Sequence, residues 1–353
     1  MIIGSRVGLY PSMTAEHTKP PEEHAVSARL GVVLVAYQSN DVLPGCLDSL
    51  TTALQFAGLT EPGAATVVIV NNDLGRELEL PGEPIWQQVV IQSDGNVGFS
   101  PAVNSALASV AEADYVLLLN PDARLAPNSL ALMIDTARKH QAALVGPLLT
   151  DKDGHPHGPS ERPFHSIRRE MGRQLLGTGH YSRHYGRRAS RDGIARCLTG
   201  ACLLVEREFL DSVGGLDTTI QMYLEDVMLC WQAHVAQRPV ILALSAHCQH
   251  VIGGSTGGIN DQTSIALYLM ILWARLEFVR RRTGPFGVYT MRLLFVLGAT
   301  LRCVLGDGNY RRRQQIVIWW ALMSGNAPGW RSGPYIELPP FLGTGMGQSR
   351  PGR

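Results

Sequence analysis

Charge is scarce in this 353-residue chain. Asp, Glu, Lys and Arg make up 17% of it, and the formal net charge is +1. So small an imbalance gives no electrostatic footing for a nucleic-acid partner. Beside 45% hydrophobic residues, it also excludes a globally disordered chain and leaves ample material for a packed core. The six cysteines, at 46, 197, 202, 230, 248 and 303, form no CxxC pair and no zinc-type spacing. A reduced, cytoplasmic protein is expected. Residues 1–28 lack the apolar centre of a signal peptide and read as a disordered tail around Lys19, Pro20, Pro21, Glu22 and Glu23. Residues 286–305 are long enough to suggest a membrane span, but Arg292 and Arg302 interrupt them. An arginine at mid-bilayer costs about 2.5–3.5 kcal/mol even on a lenient scale.

What is present is a repeated alternation. Apolar strand-like runs at 31–36, 66–71, 89–92, 115–119 and 143–148 are separated by helical patterns at 42–57, 100–111 and 127–139. That alternation predicts an α/β fold with a mostly parallel, doubly wound sheet. Strand character returns at 197–205 and 240–243, and a helix is expected from about Tyr223.

The run Tyr115-Val116-Leu117-Leu118-Leu119 ends in Asn120-Pro121-Asp122. Pro121 cannot continue a strand ladder, so Asp122 falls just past the carboxyl end of a central strand. Open α/β sheets bind ligands there. A carboxylate at that place suits a divalent cation held against a diphosphate.

Around this motif stand others in a fixed order. They are Gly31-Val32-Val33-Leu34-Val35-Ala36-Tyr37, Val67-Val68-Ile69-Val70-Asn71-Asn72-Asp73, Gly95-Asn96-Val97-Gly98-Phe99, Thr199-Gly200-Ala201, Gly214-Gly215-Leu216-Asp217, Tyr223-Leu224-Glu225-Asp226 and His250. From about residue 30 to 255 the chain resembles the family 2, GT-A-type nucleotide-sugar glycosyltransferases, most closely their rhamnosyltransferase-like branch.

The resemblance implies an inverting transfer of rhamnose or a hexose from a dTDP- or UDP-linked donor. The implied acceptor is a glycan, a lipid-linked precursor or a small natural product. Ala36, Tyr37, Asn71, Asp73, Asn96, Gly98, Phe99, Asn104, Asn120 and Gly200 are the implied donor-binding set. Asp122 and His250 are the implied ligands of Mg²⁺ or Mn²⁺, with His247 a competitor for the second role. Asp226 is the implied general base, oriented with the acceptor by Glu225. Acids at a helix start are also stabilised by its dipole, so their presence has a plain structural reading too. Relatives usually carry an acid where Asn71 stands, Asp-x-Asp where Asn120 and Asp122 stand, a second acid at the place of Met228 and a base at that of Gln232. The last two departures bear on the acceptor.

Two other classes compete. A nucleotidyltransferase would bring a glycine- and lysine-rich loop after the first strand, where Tyr37-Gln38-Ser39-Asn40 stands instead. A non-catalytic nucleotide-sugar-binding protein would be consistent with the acids absent at 71, 120 and 228. Asp122, Glu225 and Asp226 speak against it.

The expected organisation is a catalytic domain at 29–258, C-terminal helices at 259–325 and an irregular tail at 326–353. Residues 150–196 interrupt the domain as a basic insertion, with arginines at 162, 168, 169, 173, 183, 187, 188, 191 and 196. Either a mobile solvated loop or a lid over an anionic acceptor fits that composition. The triplets Arg280-Arg281-Arg282 and Arg311-Arg312-Arg313, with Trp273, Trp319 and Trp320, fit either helix packing or a peripheral contact with an anionic membrane surface.

Overall fold

A computed structural model describes residues 28–80, 82–156, 160–176, 193–220, 223–250 and 261–305. The expected α/β alternation is present. Strand β1 (Leu30–Ala36) leads to α1 (Leu43–Phe56), β2 (Ala65–Asn71), β3 (Gln87–Gln92), α2 (Phe99–Ala106) and β4 (Tyr115–Leu119). The chain continues through β5 (Ala123–Leu125), α3 (Ser129–His140), β6 (Leu144–Thr150), β7 (Glu161–Arg162) and α4 (Ile167–Leu176). After the next described residue, 193, come β8 (Cys197–Leu198), β9 (Cys202–Glu206), α5 (Arg207–Ser212), α6 (Glu225–Val235), β10 (Val240–His250) and α7 (Asp261–Leu305).

Eight strands form one sheet in the order β3-β2-β1-β4-β9-β6-β10-β5, and β7 and β8 form a separate ribbon. The pairs β1–β2, β2–β3, β1–β4 and β6–β10 are parallel. The pairs β4–β9, β6–β9 and β5–β10 are antiparallel, so the sheet is mixed. The chain winds outward from β1 through β2 to β3, then returns to β4 on the other side of β1. The switch point therefore lies between β1 and β4, where such sheets open a ligand crevice.

Strand parity builds the two cores. Val32, Leu34, Val67, Ile69, Leu117 and Leu119 join α1 and α3 on one face. Val33, Val68, Val70, Val116 and Leu118 join α2, α5 and α6 on the other. Both faces of the central strands are buried, so their sequences are continuously apolar rather than alternating. Pro44 sits in the first turn of α1, where its missing N–H costs nothing.

Several boundaries depart from the sequence reading. Residues 197–205 are two strands, because Thr199-Gly200 turn between β8 and β9. The strand expected at 240–243 runs to His250, through an irregularity between Ala243 and His247. The helix expected at 100–111 ends at Ala106 and tightens into a 3₁₀ turn, Leu107–Val110. Strand β5 and helix α5 were not anticipated.

In the basic insertion, residues 161–162 pair with 197–198, and α4 follows. Residues 177–192, with the arginines at 183, 187, 188 and 191, lie outside the described residues. So do the expected N-terminal tail at 1–27 and the residues after 305. Helix α7 breaks at Gly284 (φ 70°, ψ −168°), followed by Pro285. Before the break, Ala274 and Phe278 are buried in the second core. Among the described residues no helix is long and apolar enough to cross a membrane.

Candidate active site

The parallel register brings the ends of β1, β2 and β3 level. Ala36 pairs with Asn71, and Asn71 with Gln92. Tyr37 begins a turn in which its N–H donates to Ser39 Oγ at 3.1 Å and its carbonyl accepts from that hydroxyl at 2.9 Å. The Asn71 amide donates to Arg76 O at 2.8 Å and to Gln92 Oε1 at 2.9 Å, while its Oδ1 accepts the Asp73 N–H at 3.1 Å. The asparagine thus ties together its own strand end.

Asn72, which the sequence reading passed over, is 2% exposed. Its Nδ2 donates to Gly98 O at 3.1 Å, and its buried Oδ1 has no hydrogen-bond partner among the described residues. Asn96 Oδ1 accepts the Gly98 N–H at 3.1 Å. Gly95 and Gly98 take φ of 121° and 90°, which side-chain-bearing residues rarely adopt, so this loop before α2 needs both glycines. Phe99 opens α2, partly buried against the second core. Asn104 is committed elsewhere. Its amide grips the Leu216 backbone on both sides, at 2.8 and 2.9 Å, and a Cβ on Gly215 would meet its Oδ1 at 2.6 Å.

At the switch point, Asn120 O accepts the Ala123 N–H at 3.0 Å, turning the chain directly into β5. Strand β5 then pairs antiparallel with β10, with Ala123 opposite His250. That register sets His250 Nε2 3.4 Å from Asp122 Oδ1, with the two side chains 13% and 5% exposed. Asp122 Oδ1 and His250 Nδ1 are buried without a hydrogen-bond partner among the described residues. His247 lies three residues back, its backbone clamped by Ser129 Oγ. Burial lowers the pKa of its imidazole. Of the two histidines, His250 stands against Asp122. An orphaned carboxylate oxygen beside an imidazole is a donor pair that fits Mg²⁺ or Mn²⁺, with phosphate oxygens completing the shell.

The acidic pair opens α6. Tyr223 and Leu224, at φ of 65° and 69°, put two consecutive non-glycine residues in the left-handed region immediately before it. Asp226 is 6% exposed. Its Oδ2 accepts the Gly200 N–H at 2.8 Å and an N–H from Arg162 Nη2, and its Oδ1 accepts the Val227 N–H at 2.7 Å. A Cβ on Gly200 would stand 3.1 Å from Asp226 Cβ, so glycine permits this approach. Glu225 differs. Its Oε2 is buried and has no hydrogen-bond partner among the described residues. Burial first, and then the charge of Asp226, push its carboxyl up to about 8, against a weaker opposing pull from Arg162.

The two halves are joined through 199–201. Gly200 holds Asp226, and the next residue, Ala201, accepts the Asn120 N–H at 2.9 Å. The strand end that carries Asp122 and the Glu225–Asp226 pair are therefore tied to one short turn between β8 and β9. Arg162 was not foreseen as part of this site, because its partner lies 64 residues away and its strand is two residues long. A separate group, Asp151, Asp153 and His155, has ligand atoms within 4.8 Å of one another. There Asp151 Oδ1 accepts the N–H groups of Asp153 and His155, as turn geometry requires.

Residues 31–214, just over half the chain, match the model of Glycosyl transferase family 2. The chain is 29% identical over 247 residues to the N-acetylglucosaminyl-diphospho-decaprenol L-rhamnosyltransferase of Mycobacterium tuberculosis, covering 65% of this chain and 78% of that protein. It is 22% identical over 209 residues to the low-salt glycan biosynthesis hexosyltransferase Agl10 of Haloferax volcanii, covering 58% of this chain and 61% of the other. Among solved structures it is similar to S. aureus TarS, with a TM-score of 0.47 and 12% identity. That match covers 84% of this chain and about half, 49%, of TarS.

Proposed function

Since this chain belongs to glycosyl transferase family 2 and is a glycosyltransferase, we propose that it performs an inverting, metal-assisted transfer. The donor is a dTDP- or UDP-linked rhamnose or hexose, and the likeness to the mycobacterial L-rhamnosyltransferase favours rhamnose. By the same likeness the acceptor is a sugar carried on a polyprenyl diphosphate.

The reaction follows from the residues. The nucleotide lies along the ends of β1, β2 and β3, against Ala36, Tyr37, Asn71, Asp73 and the Asn96–Gly98–Phe99 loop. Asp122 and His250 would hold the cation, which would neutralise charge on the leaving diphosphate. The acceptor oxygen attacks the anomeric carbon from the face opposite the diphosphate. The bond from that carbon to the phosphate oxygen breaks, its electron pair leaves with the nucleoside diphosphate, and the acceptor proton passes to Asp226. One displacement inverts the anomeric centre. Gly200 fixes the Asp226 carboxylate, and Glu225 orients the acceptor.

The observation that carries this reading is the short turn linking both groups, from Asn120 through Ala201 and Gly200 to Asp226. One observation favours a second assignment of the base. Asp226 is filled by Arg162, Gly200 and Val227, whereas Glu225 has an oxygen with no partner among the described residues and a raised pKa. If Arg162 does not withdraw when acceptor arrives, Glu225 takes the proton. A panel of nucleotide sugars with a polyprenyl-diphosphate sugar acceptor, product configuration read by NMR, tests the reading. Retention of configuration, or no transfer from any donor, contradicts it.

A cytoplasmic, peripherally membrane-bound enzyme fits such an acceptor. After the break in α7, Phe286, Tyr289, Leu293 and Leu297 are 82, 70, 58 and 56% exposed. Their spacing puts them on one helix face. The neighbouring arginine triplet offers less free charge than its sequence suggests. Arg281 pairs with Asp217 at 2.9 Å, and Arg280 with Glu277 at 2.5 Å. The second triplet, 311–313, lies outside the described residues.

A further inference from the structure

Towards the far end of α6 from Asp226, a cavity of about 790 Å³ opens between the start of the insertion, β8, α6 and α7. Arg168, Arg169, Arg196 and Arg282 line it with Phe164 and Trp231, and its described lining includes no Asp or Glu. Four cations around one cavity repel each other unless an anion joins them. Arg168 and Arg196 are exposed, and their side chains have no hydrogen-bond or ion-pair partner among the described residues. The other two are held in place. Arg169 Nη1 donates to Phe164 O at 2.6 Å, and Arg282 Nη1 to His165 O at 3.1 Å. Arg282 also lies 5.7 and 5.6 Å from the ring centres of Phe164 and Phe278. Two guanidinium groups are thus fixed beforehand and two can close on a ligand. Planar forks of this kind suit phosphate oxygens.

The position of the cavity limits what the anion is attached to. Helix α6 carries Asp226 in its first turn and Trp231 and His234 in the cavity wall. From Asp226 to His234 is about 12 Å of helix at the usual rise. A sugar ring with a diphosphate on its anomeric oxygen spans a comparable length. The insertion spans the same interval, with Arg162 on Asp226 and Phe164 in the cavity wall. We infer that this cavity binds the diphosphate of the acceptor while the acceptor hydroxyl reaches the Glu225–Asp226 pair. The inference rests on the reading of the chain as a transferase with a diphosphate-linked acceptor.

The test uses the full chain in metal-free, low-salt buffer, with inorganic pyrophosphate as the probe in calorimetry. The wild type is expected to bind, and Arg168→Gln/Arg196→Gln to bind about 10–100-fold more weakly, as the loss of two charge-assisted contacts implies. No binding by the wild type, or equal binding by the variant, overturns the site. A kinetic arm compares a sugar on a prenyl diphosphate with the same sugar on a neutral alkyl chain. The variant should raise KM about 10–100-fold for the diphosphate acceptor alone, with donor KM unchanged. An equal rise for both acceptors overturns the assignment to the acceptor's diphosphate. A wild type that binds pyrophosphate yet transfers to neither acceptor overturns the reading of a sugar-diphosphate acceptor instead, so the two failures are distinguishable.

Discussion

Arg162, on the two-residue strand β7, ion-pairs with Asp226 in the first turn of α6. The contact ties the basic insertion to the acidic pair. The Asp226 side chain is 7% exposed and the Arg162 side chain 34%. Removing one member of a fully buried pair costs about 3–5 kcal/mol, and partial exposure of the arginine lowers the expectation for Arg162→Gln to about 1–3 kcal/mol. The loss should be larger at pH 8 than at pH 5, because Glu225, pushed up to about 8, is protonated at pH 5 and partly ionised at pH 8, where Arg162 faces a second carboxylate. Urea unfolding at the two pH values measures this, and equal stability of variant and wild type at both would show that the pair does not hold the fold.

Glu225 sets a second pH dependence. Its carboxyl is pushed up to about 8 by burial and by Asp226. Between the unfolded carboxylate range and about 8, the folded chain binds a proton that the unfolded chain has lost. The contribution to stability is therefore fully present below the unfolded pKa and disappears as pH rises through about 8. Glu225→Gln, neutral at all pH, should melt above the wild type at pH 9 and converge with it near pH 4. Parallel melting curves across that window would place the Glu225 titration elsewhere.

Asp122 and His250 are expected to make donor binding metal-assisted. Calorimetry of nucleotide sugar with Mn²⁺ should show a gain over EDTA in the wild type and none in Asp122→Ala. Mn²⁺ binding followed by electron paramagnetic resonance should weaken in the same variant and in His250→Ala. Equal donor affinity in EDTA and Mn²⁺ for the wild type would remove the cation from the account.

The central strands and their order of use were legible because strands buried on both faces must be apolar throughout, and Pro121 must end one of them. Asp122 stood out at the end of its strand, but its approach to His250 did not. Nothing in the local sequence says that β5 exists, yet its three residues set His250 against Asp122. Asn104, implied as a donor contact by the resemblance, holds the Leu216 backbone through its amide, a partner 112 residues away. Arg162 sat in a charge-rich stretch whose ordinary reading is solvated loop. Its role depends on pairing with β8, which no periodicity announces in a strand of two residues.

The exposed face of α7 predicts binding of the full chain to anionic liposomes at low salt, reduced at high salt. Phe286→Asp/Leu293→Asp should abolish sedimentation with the vesicles while leaving donor binding intact. Absence of wild-type binding at low salt would leave the acceptor to be met in solution.

The most direct measurement is the turnover of Asp226→Asn at saturating donor and acceptor, with Glu225→Gln alongside and donor affinity checked for each. Loss of a general base typically costs about 10²–10⁴-fold in rate. The account predicts that loss for Asp226→Asn with donor binding retained, and a smaller loss for Glu225→Gln. Wild-type turnover by Asp226→Asn would contradict it, and the larger loss falling on Glu225→Gln would move the base to the neighbouring residue.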